Sequence, residues 1–547
     1  MREAVPTAVP DAGRQISWVP LVVIALAQIL MAFNINALRV SIGGIVATLG
    51  TSPTAVGTAI VTHSLFIAGL VMLGAKIGAL CGPRPVFKVT VLLFGAAMVV
   101  MALSSSATMM IVAQGIAGAA GAALVPTLVV LIAANYRGRR QTQALGWLGA
   151  SEAMGGVLAF LVAGFLGTWI GWRYPFGLLG VLAACTFLLS KRLNPVESQR
   201  GLRIDAVGVV LGALAVILIS LGFDSTNRWG LFLAGSAAPF SLFGLSPAPV
   251  MIVVGVAFGQ AFFAWSKRRQ AARKRPLIAL EVIKTPQQGS AIFSMFMIVL
   301  VGSAVGFLIP LYMEIVQGYS SLRTALAIIP NSLSIFAAAV LVSRLFDRLS
   351  SRHIARGAFV LVAAGLTLLA AVIHNEWNTL MVIIALVVVG LGQGALVTVL
   401  FNVLAAATPE VLAGDMASLR GTTNNLAGAV GTAIAGALSV GVLSASIATM
   451  LINNPVIPRE LKAQVDLDKV GFVSNDRLRE VMEGTTAASE QITEAASINT
   501  QARLRSLRIC LLALTGAALL AIFPTGALPA ETAVLATRAS SSRNNIG

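Results

Sequence analysis

The chain has 547 residues, of which 57% are hydrophobic and only 11% charged. A soluble protein carries about 25% charged residues, so the composition excludes a soluble globular protein and points to an all-α polytopic membrane protein. The net charge of +17 does not indicate nucleic-acid binding, because the Lys and Arg fall in short segments between apolar runs and no basic patch interleaved with aromatics occurs.

In chain order, Met1 to Ser17 is polar and mixed in charge. The apolar run from Val19 is too long for a signal-peptide core and lacks a clear small-residue cleavage site, so it reads as a retained first span. Spans of about 20 apolar residues follow at Val19–Ile42, Ala55–Leu80, Val89–Leu103, Met109–Ala133, Ala144–Ile170 and Phe176–Leu189. Ala206–Phe223 and Val250–Trp265 form an extra pair. Then come Ala291–Met313, Leu326–Val342, Gly357–Ile373, Leu380–Leu404, Asn424–Leu451 and Leu507–Phe523. The expected organisation is a cytoplasmic N-terminus (1–17), a first six-helix bundle (18–190) and an inserted helix pair with flanking basic loops (191–288). A second six-helix bundle (289–524) and a cytoplasmic tail (525–547) complete it.

Lys267–Lys284 is the most concentrated basic stretch, with Lys267, Arg268, Arg269, Arg273, Lys274 and Arg275 between two apolar runs. Short basic loops stay in the cytoplasm. That register puts Arg84, Lys88, Arg137, Arg139, Arg140, Lys191 and Arg192 on the inner face, with Arg344, Arg348, Arg352 and Arg356. The short outer loops keep little beyond Arg173, Arg228 and Arg323. Both termini are therefore expected inside, in the plasma or inner membrane. Asp224–Pro249 reads as an outer loop rich in Gly, Ser and Pro, lying at the interface. Asn453–Ser506 is polar and nearly balanced in charge. It reads as a solvated outer loop with a short helix at Asp476–Ile492, or as a cap over the outer mouth. The tail Arg538–Gly547 is Ser/Asn-rich and expected to be disordered.

Cys81, Cys185 and Cys510 form no Cys-x-x-Cys, so neither a disulfide framework nor a metal site is expected. No Gly-x-x-x-x-Gly-Lys-Ser/Thr loop and no nucleophile constellation occurs. The chain is therefore expected to be neither an enzyme nor a one-chain ATP-driven pump, and to need no cofactor.

After the second span the sequence reads Gly74-Ala-Lys-Ile-Gly78-Ala-Leu-Cys-Gly82-Pro-Arg84, and the matching place in the second half reads Arg344-Leu-Phe-Asp347-Arg348-Leu-Ser-Ser-Arg352. Both resemble the loop signature of the major facilitator superfamily. With the inserted pair, the chain resembles that superfamily's fourteen-span drug:proton antiporter branch. Gln114-Gly115-Ile-Ala-Gly118, Trp172-Arg173, Tyr312 with Gly318-Tyr319-Ser320, Pro330 and Leu419–Ala435 are similar to it as well. The resemblance implies two six-helix bundles related by an axis along the membrane normal. It also implies alternating-access export of small molecules against protons.

Several departures bear on mechanism. Where the branch has Asp-x-Thr-Ile-Val-Asn in its first span, this chain has Asn34-Ile-Asn36-Ala-Leu-Arg39. The fourth-span Arg falls on Ile111, the fifth-span Gly-Pro motif is Glu152-Ala-Met-Gly155-Gly156, and the first-half signature has Ala79 at its acid position.

An ionisable group in a span is a functional candidate by default. Glu152 lies about eight residues into its predicted span, roughly 12 Å deep. It could exchange protons in place of the missing first-span acid, hold a cationic cargo, or serve as a structural carboxyl. Arg39 either snorkels to the outer interface or faces the cavity and pairs with an acid or an anionic cargo. His63 suits proton transfer but equally a packing role. Glu314, where the branch has Gln, is expected at the outer interface, and Lys76 is expected to snorkel inward. Asn34, Asn36, Gln114 and Asn331 are candidates for cargo contact, with Gln28, Gln393 and Asn402, or are interhelical glue. Gly74, Gly78, Gly82 and Arg84, with Arg344, Asp347 and Arg348, are expected to gate the inner face by helix-end contacts.

The expected function is proton-coupled efflux of amphipathic drugs or similar compounds, with a small-molecule substrate, protons and the bilayer as partners and a monomer favoured. Two alternatives remain: an exporter or uniporter of a native lipid or metabolite without standard proton coupling, and a non-transporting protein on an eroded transporter fold.

Overall fold

The computed structural model describes residues 18–530 except 137–138, 195–197, 199–203, 231–233, 235–237, 242–243, 275, 346–348, 375–378, 409–411, 453, 458–471 and 485–487. The N-terminal segment, the Ser/Asn-rich tail, Arg275, Asp347 and Arg348 lie outside the described residues. Arg344 ends up in a helix, but its side chain is likewise outside them.

Among the described residues, fourteen helices are long and apolar enough to cross a membrane, the number that the apolar runs predict. Helices α1 (Val19–Arg39), α3 (Pro53–Cys81), α4 (Pro83–Ala102) and α5 (Ala107–Asn135) open the chain, with a short α2 (Ile42–Leu49) after α1. The fifth span is α6 (Arg139–Leu158), a π-helical turn at Ala159–Ala163 and α7 (Gly164–Trp169), followed by α8 (Arg173–Leu189). The inserted pair is α9 (Ala206–Trp229) and α10 (Pro247–Ala271). The second half holds α11 (Pro286–Leu311) with a π-helical turn at Tyr312–Val316, α12 (Ser321–Leu345), α13 (Ser351–Val372) and α14 (Thr379–Ala406). It ends with α15 (Ala413–Ile452), α16 (Asn475–Glu483) and α17 (Ser489–Leu520).

Local chemistry starts and stops these helices. Ser52 and Ser106 accept from the main-chain N–H groups of Ala55 and Met109, capping α3 and α5. Thr285 and Gln288 form a capping box at α11, with Pro286 at the first helical position. Gly82 turns the chain from α3 into α4 at a φ of 87°, a conformation that favours glycine.

The span ends depart from expectation where polar residues extend a helix. The first run breaks after Arg39, so α2 is a separate helix on the face opposite the basic loops. Helix α15 begins at Ala413 rather than near Asn424, and α17 begins at Ser489 rather than near Leu507. The second part of the polar segment Asn453–Ser506 is thus a helical stalk continuous with the last span. Helix α16 packs on it, and the fully buried Arg503 donates to Val473 O at 2.7 Å and Asn475 Oδ1 at 2.8 Å. The basic block is not all loop either. Helix α10 runs on to Ala271, so Arg268 and Arg269 fill its last turn, where the helix dipole favours cations. Arg269 pairs with the buried Asp205 at 3.3 Å.

The helices before α9 pack chiefly on one another, and those from α11 on do the same. The inserted pair does not stand apart. Helix α9 packs on both α3 and α15, across the seam between the halves, and α10 packs on α9. Close approach inside the first half depends on Gly74, where a Cβ would stand 2.5 Å from Ala122 O and 2.6 Å from Ala123 Cα. Both are main-chain atoms and cannot yield without moving α5. Gly74→Val is therefore expected to cost about 1–3 kcal/mol. Thermal unfolding in detergent should show a lower midpoint; an unchanged midpoint would mean that the α3–α5 contact is not limiting.

Candidate functional site

The two halves pack on each other most extensively through α3 and α15, and they also meet at the end of α1, on the face away from the basic loops. Arg39 closes α1, and its guanidinium lies against Gly306 of α11, where a Cβ would be 3.2 Å from Arg39 Cζ. Its Nη1 donates to Asn36 Oδ1 at 3.3 Å, while its buried Nε has no partner. Among the described residues Arg39 forms no ion pair, so a half-buried positive charge stands at the seam with one weak amide contact. Pro310, four residues after Gly306, cannot donate to the Gly306 carbonyl. The helix is thus irregular beside the guanidinium.

Two more bonds cross at this face. Gly43 N donates to Glu314 Oε2 at 2.6 Å, from α2 to the π-helical turn after α11. Leu322 N, in the first turn of α12, donates to Thr168 Oγ1 at 3.0 Å. Beside it α7 approaches α12 so closely that a Cβ on Gly164 would be 2.8 Å from Ala325 Cβ. Glu314, expected at the outer interface, lies near the end of its membrane-length stretch. It is 8% exposed and held between the halves, because α2 folds back over it after the first span breaks.

The other candidates separate into two groups. Asn34 and Gln114 are fully buried and bond each other reciprocally, Nδ2 to Oε1 at 2.8 Å and Nε2 to Oδ1 at 3.1 Å. They fasten α1 to α5. Asn331 donates to Leu386 O at 2.7 Å, fastening α12 to α14. His63 is fully buried where α3 and α5 touch, and a Cβ on Gly118 would be 2.4 Å from its carbonyl oxygen. Neither ring nitrogen makes a hydrogen bond of normal geometry, although the Gln114 main chain lies beside the ring. These residues lie in seams within one half.

Glu152 is exposed, which corrects the burial that its position in the apolar run implied. The membrane-length stretch begins at Trp147, so Glu152 is only about 8 Å inside it. One turn further on, Gly156 faces Asn36, whose Nδ2 would be 3.4 Å from a Cβ there. Helical spacing puts Glu152 on the same face. It thus sits on the basic-face side of the Asn36–Arg39 cluster.

At the basic face, the loop-signature residues hold helix ends. Arg84 Nη2 donates to Lys191 O at 2.8 Å, past the end of α8. Gly78 stands near Thr127 of α5, 3.3 Å from a Cβ to Oγ1. The bond across the halves comes from Lys76, which does not merely snorkel. Its Nζ lies 3.7 Å from Asp415 Oδ1 at the start of α15, and Asp415 Oδ2 accepts from Ala279 N at 3.0 Å.

The sequence reading passed over three polar features of the seam. Asp415 and Arg420 fell outside the predicted span because the apolar signal starts near Asn424. In the structure both lie within α15, and the Arg420 guanidinium sits 4.6 Å from the Phe401 ring centroid. Asp224 was assigned to a loop, yet it ends up on α9, accepting from Thr58 Oγ1 at 3.1 Å and 3.2 Å. It lines a cavity of about 20 Å³, with Thr54, Phe307 and the buried, unpartnered hydroxyl of Thr432. That is space for one water molecule.

Comparison with known proteins decides the family. The model of the Major Facilitator Superfamily matches residues 24–432. The chain belongs to the major facilitator superfamily. Among this superfamily's curated members it is similar to a probable actinorhodin transporter of Streptomyces coelicolor, 24% identical over 508 residues, covering 90% of this chain and 83% of that one. It is also similar to the puromycin resistance protein pur8 of Streptomyces alboniger, 26% identical over 456 residues, covering 80% and 84%. A solved bacterial homologue of the lysosomal transporter Spinster, in an inward-facing and occupied conformation, superposes with a TM-score of 0.61 at 15% identity over 93% of this chain and 96% of that one. The chain is a multi-span membrane transporter, similar to a probable actinorhodin transporter and a puromycin resistance protein, and it is not an enzyme.

The Lys76–Asp415 pair is about one-quarter exposed and is worth roughly 0.5–1 kcal/mol. Lys76→Ala should raise thiol labelling at Val71→Cys, packed near Gly421 of α15, about two- to fivefold. An unchanged rate in this variant would show that the pair does not hold the seam.

Proposed function

We propose that this transporter exports amphipathic small molecules by alternating access, driven by proton entry. In this reading the face carrying the basic loops is cytoplasmic, and the structure is the state closed to the outside. The crossing bonds of Gly43 and Leu322, with the contact of Arg39 against Gly306, form the closed outer gate. Of the first-half elements that α12 touches, it packs more on the π-helical turn at 159–163 and α7, near that gate, than on α6. The α6–α12 side is then the entry from the cytoplasm. Glu152 stands on that route, and Arg39 with Asn36 receives the polar part of the cargo below the closed gate.

The observation that carries the proposal is the uncompensated guanidinium of Arg39 at the junction of the halves. A charge in that place costs several kcal/mol unless something pairs with it. A cargo bearing an anionic or strongly accepting group supplies the partner. Such a group also bridges α1 and α11 and couples binding to movement of one half against the other. The same observation favours a second reading, in which the cargo is a native metabolite and transport is not coupled to protons in the standard way. The first-span acid of the family branch is here Asn34, and Arg39 repels a cationic drug.

The test is efflux from cells against a panel of neutral, cationic and anionic antibiotics, with proton movement followed in inside-out vesicles holding an acid interior. Neutral and anionic compounds should be exported, and Arg39→Ala should reduce export about tenfold, the worth of a charge-assisted bond. Arg39→Lys should retain part of it. Proton release on addition of cargo supports the coupled reading, and export without proton release supports the second. Full export by a folded Arg39→Ala variant would remove Arg39 from the cargo site.

A further inference from the structure

Glu314 is a carboxylic acid enclosed at the outer gate. One oxygen accepts from Gly43 N at 2.6 Å, and the other, Oε1, is buried without any partner. It forms no ion pair among the described residues. The charged and titratable groups on the elements packed around it are engaged elsewhere. Arg39 lies against Gly306, about two helical turns earlier. Tyr312 donates to His374 O and accepts from Gln317. Arg323 stacks on the Tyr319 ring at 3.9 Å, Arg503 holds Val473 and Asn475, and Arg508 donates to Ile373 O.

We propose that Glu314 is the proton-binding site that closes the outer gate, an assignment that rests on the exporter reading above. An ionised carboxylate here would leave Oε1 charged, dry and unpaired, whereas the neutral acid loses far less on enclosure. Its neutral form keeps a carbonyl oxygen for the Gly43 N–H. When the gate opens, both oxygens reach outer water and the acid can ionise. Closure therefore takes up one proton from the outer solution. Only differential stabilisation of the two states can shift the gate, and Glu314 supplies it. The π-helical turn brings the acid to α2, and Gly43 leaves it room: a Cβ there would be 2.9 Å from Oε2.

The test reads the gate without cargo. A Cβ at Gly167 of α7 would be 3.5 Å from Ser321 Cβ of α12, within cross-linking distance. Gly167→Cys with Ser321→Cys, in a full-length chain whose three native cysteines are replaced, is treated in bilayers with a short bifunctional thiol reagent. Cross-linking should fall about threefold or more between about pH 5.5 and about pH 8.5, as the acid ionises and the gate opens. Glu314→Gln, which mimics the neutral acid, should cross-link fully at both values. Gly43→Ala should lower the yield at both, which covers the case of a poorly folded Gln variant. An equal pH slope in Glu314→Gln and its parent would overturn the assignment. A pH-dependent gate in a chain that exports nothing would instead leave Glu314 in place and overturn the exporter reading.

Discussion

A buried carboxyl group of one half accepts a main-chain hydrogen bond from the other half and forms no ion pair among the described residues. The bond between Gly43 and Glu314 shows the constraint under which the whole seam is built. A polar group in the membrane must find a partner or be costly. Within each half, partners are found permanently: Asn34 with Gln114, Asn331 with the Leu386 carbonyl. Between the halves, Gly43 with Glu314, Leu322 with Thr168 and Lys76 with Asp415 each make a single contact.

Small residues set the geometry of both kinds. Gly74 and Gly118 let α3 lie directly on the main chain of its neighbours, which fixes the first half as a unit. Gly43 and Gly306 do the same between halves against the flexible side chains of Glu314 and Arg39, whereas Gly164 lies against Ala325 and the main chain of α12. The two π-helical turns fall beside these contacts, at Ala159–Ala163 and Tyr312–Val316. Such turns are frequent at functional sites. Here each lies at a crossing point, and one carries Glu314. The inserted pair adds a further tie, since Asp224 on α9 reaches Thr58 on α3 while α9 also packs on α15.

The fold was almost wholly legible in the sequence, because membrane spans are long apolar runs and basic loops mark one face. The number of spans came out as expected. The family resemblance rested on Gly74 to Arg84, Gln114 and Pro330, and the family match agrees with it. The site was less legible, for physical reasons. Depth along an apolar run gave Glu152 a burial it lacks, since depth does not say whether a neighbouring helix covers a side chain. Proximity to a span end gave Glu314 an exposed place, since nothing in the run announced that α2 would fold over it. Arg420 and Asp415 were missed because a hydropathy boundary is not a helix boundary. Asp415, which pairs with Lys76, and Gly306, against which Arg39 lies, are hundreds of residues away, and only packing reveals them.

The central claim is that the outer and inner faces open in turn about the Arg39 junction. Pulsed electron resonance between spin labels tests it most directly, with one pair at the exposed Ile170 and Arg323 near the outer face and another at the exposed Trp147 and Leu341 near the inner. In bilayers, a transported compound or a change of pH should lengthen one distance as it shortens the other. Two distances that stay fixed, or that lengthen together, would contradict alternating access in this protein.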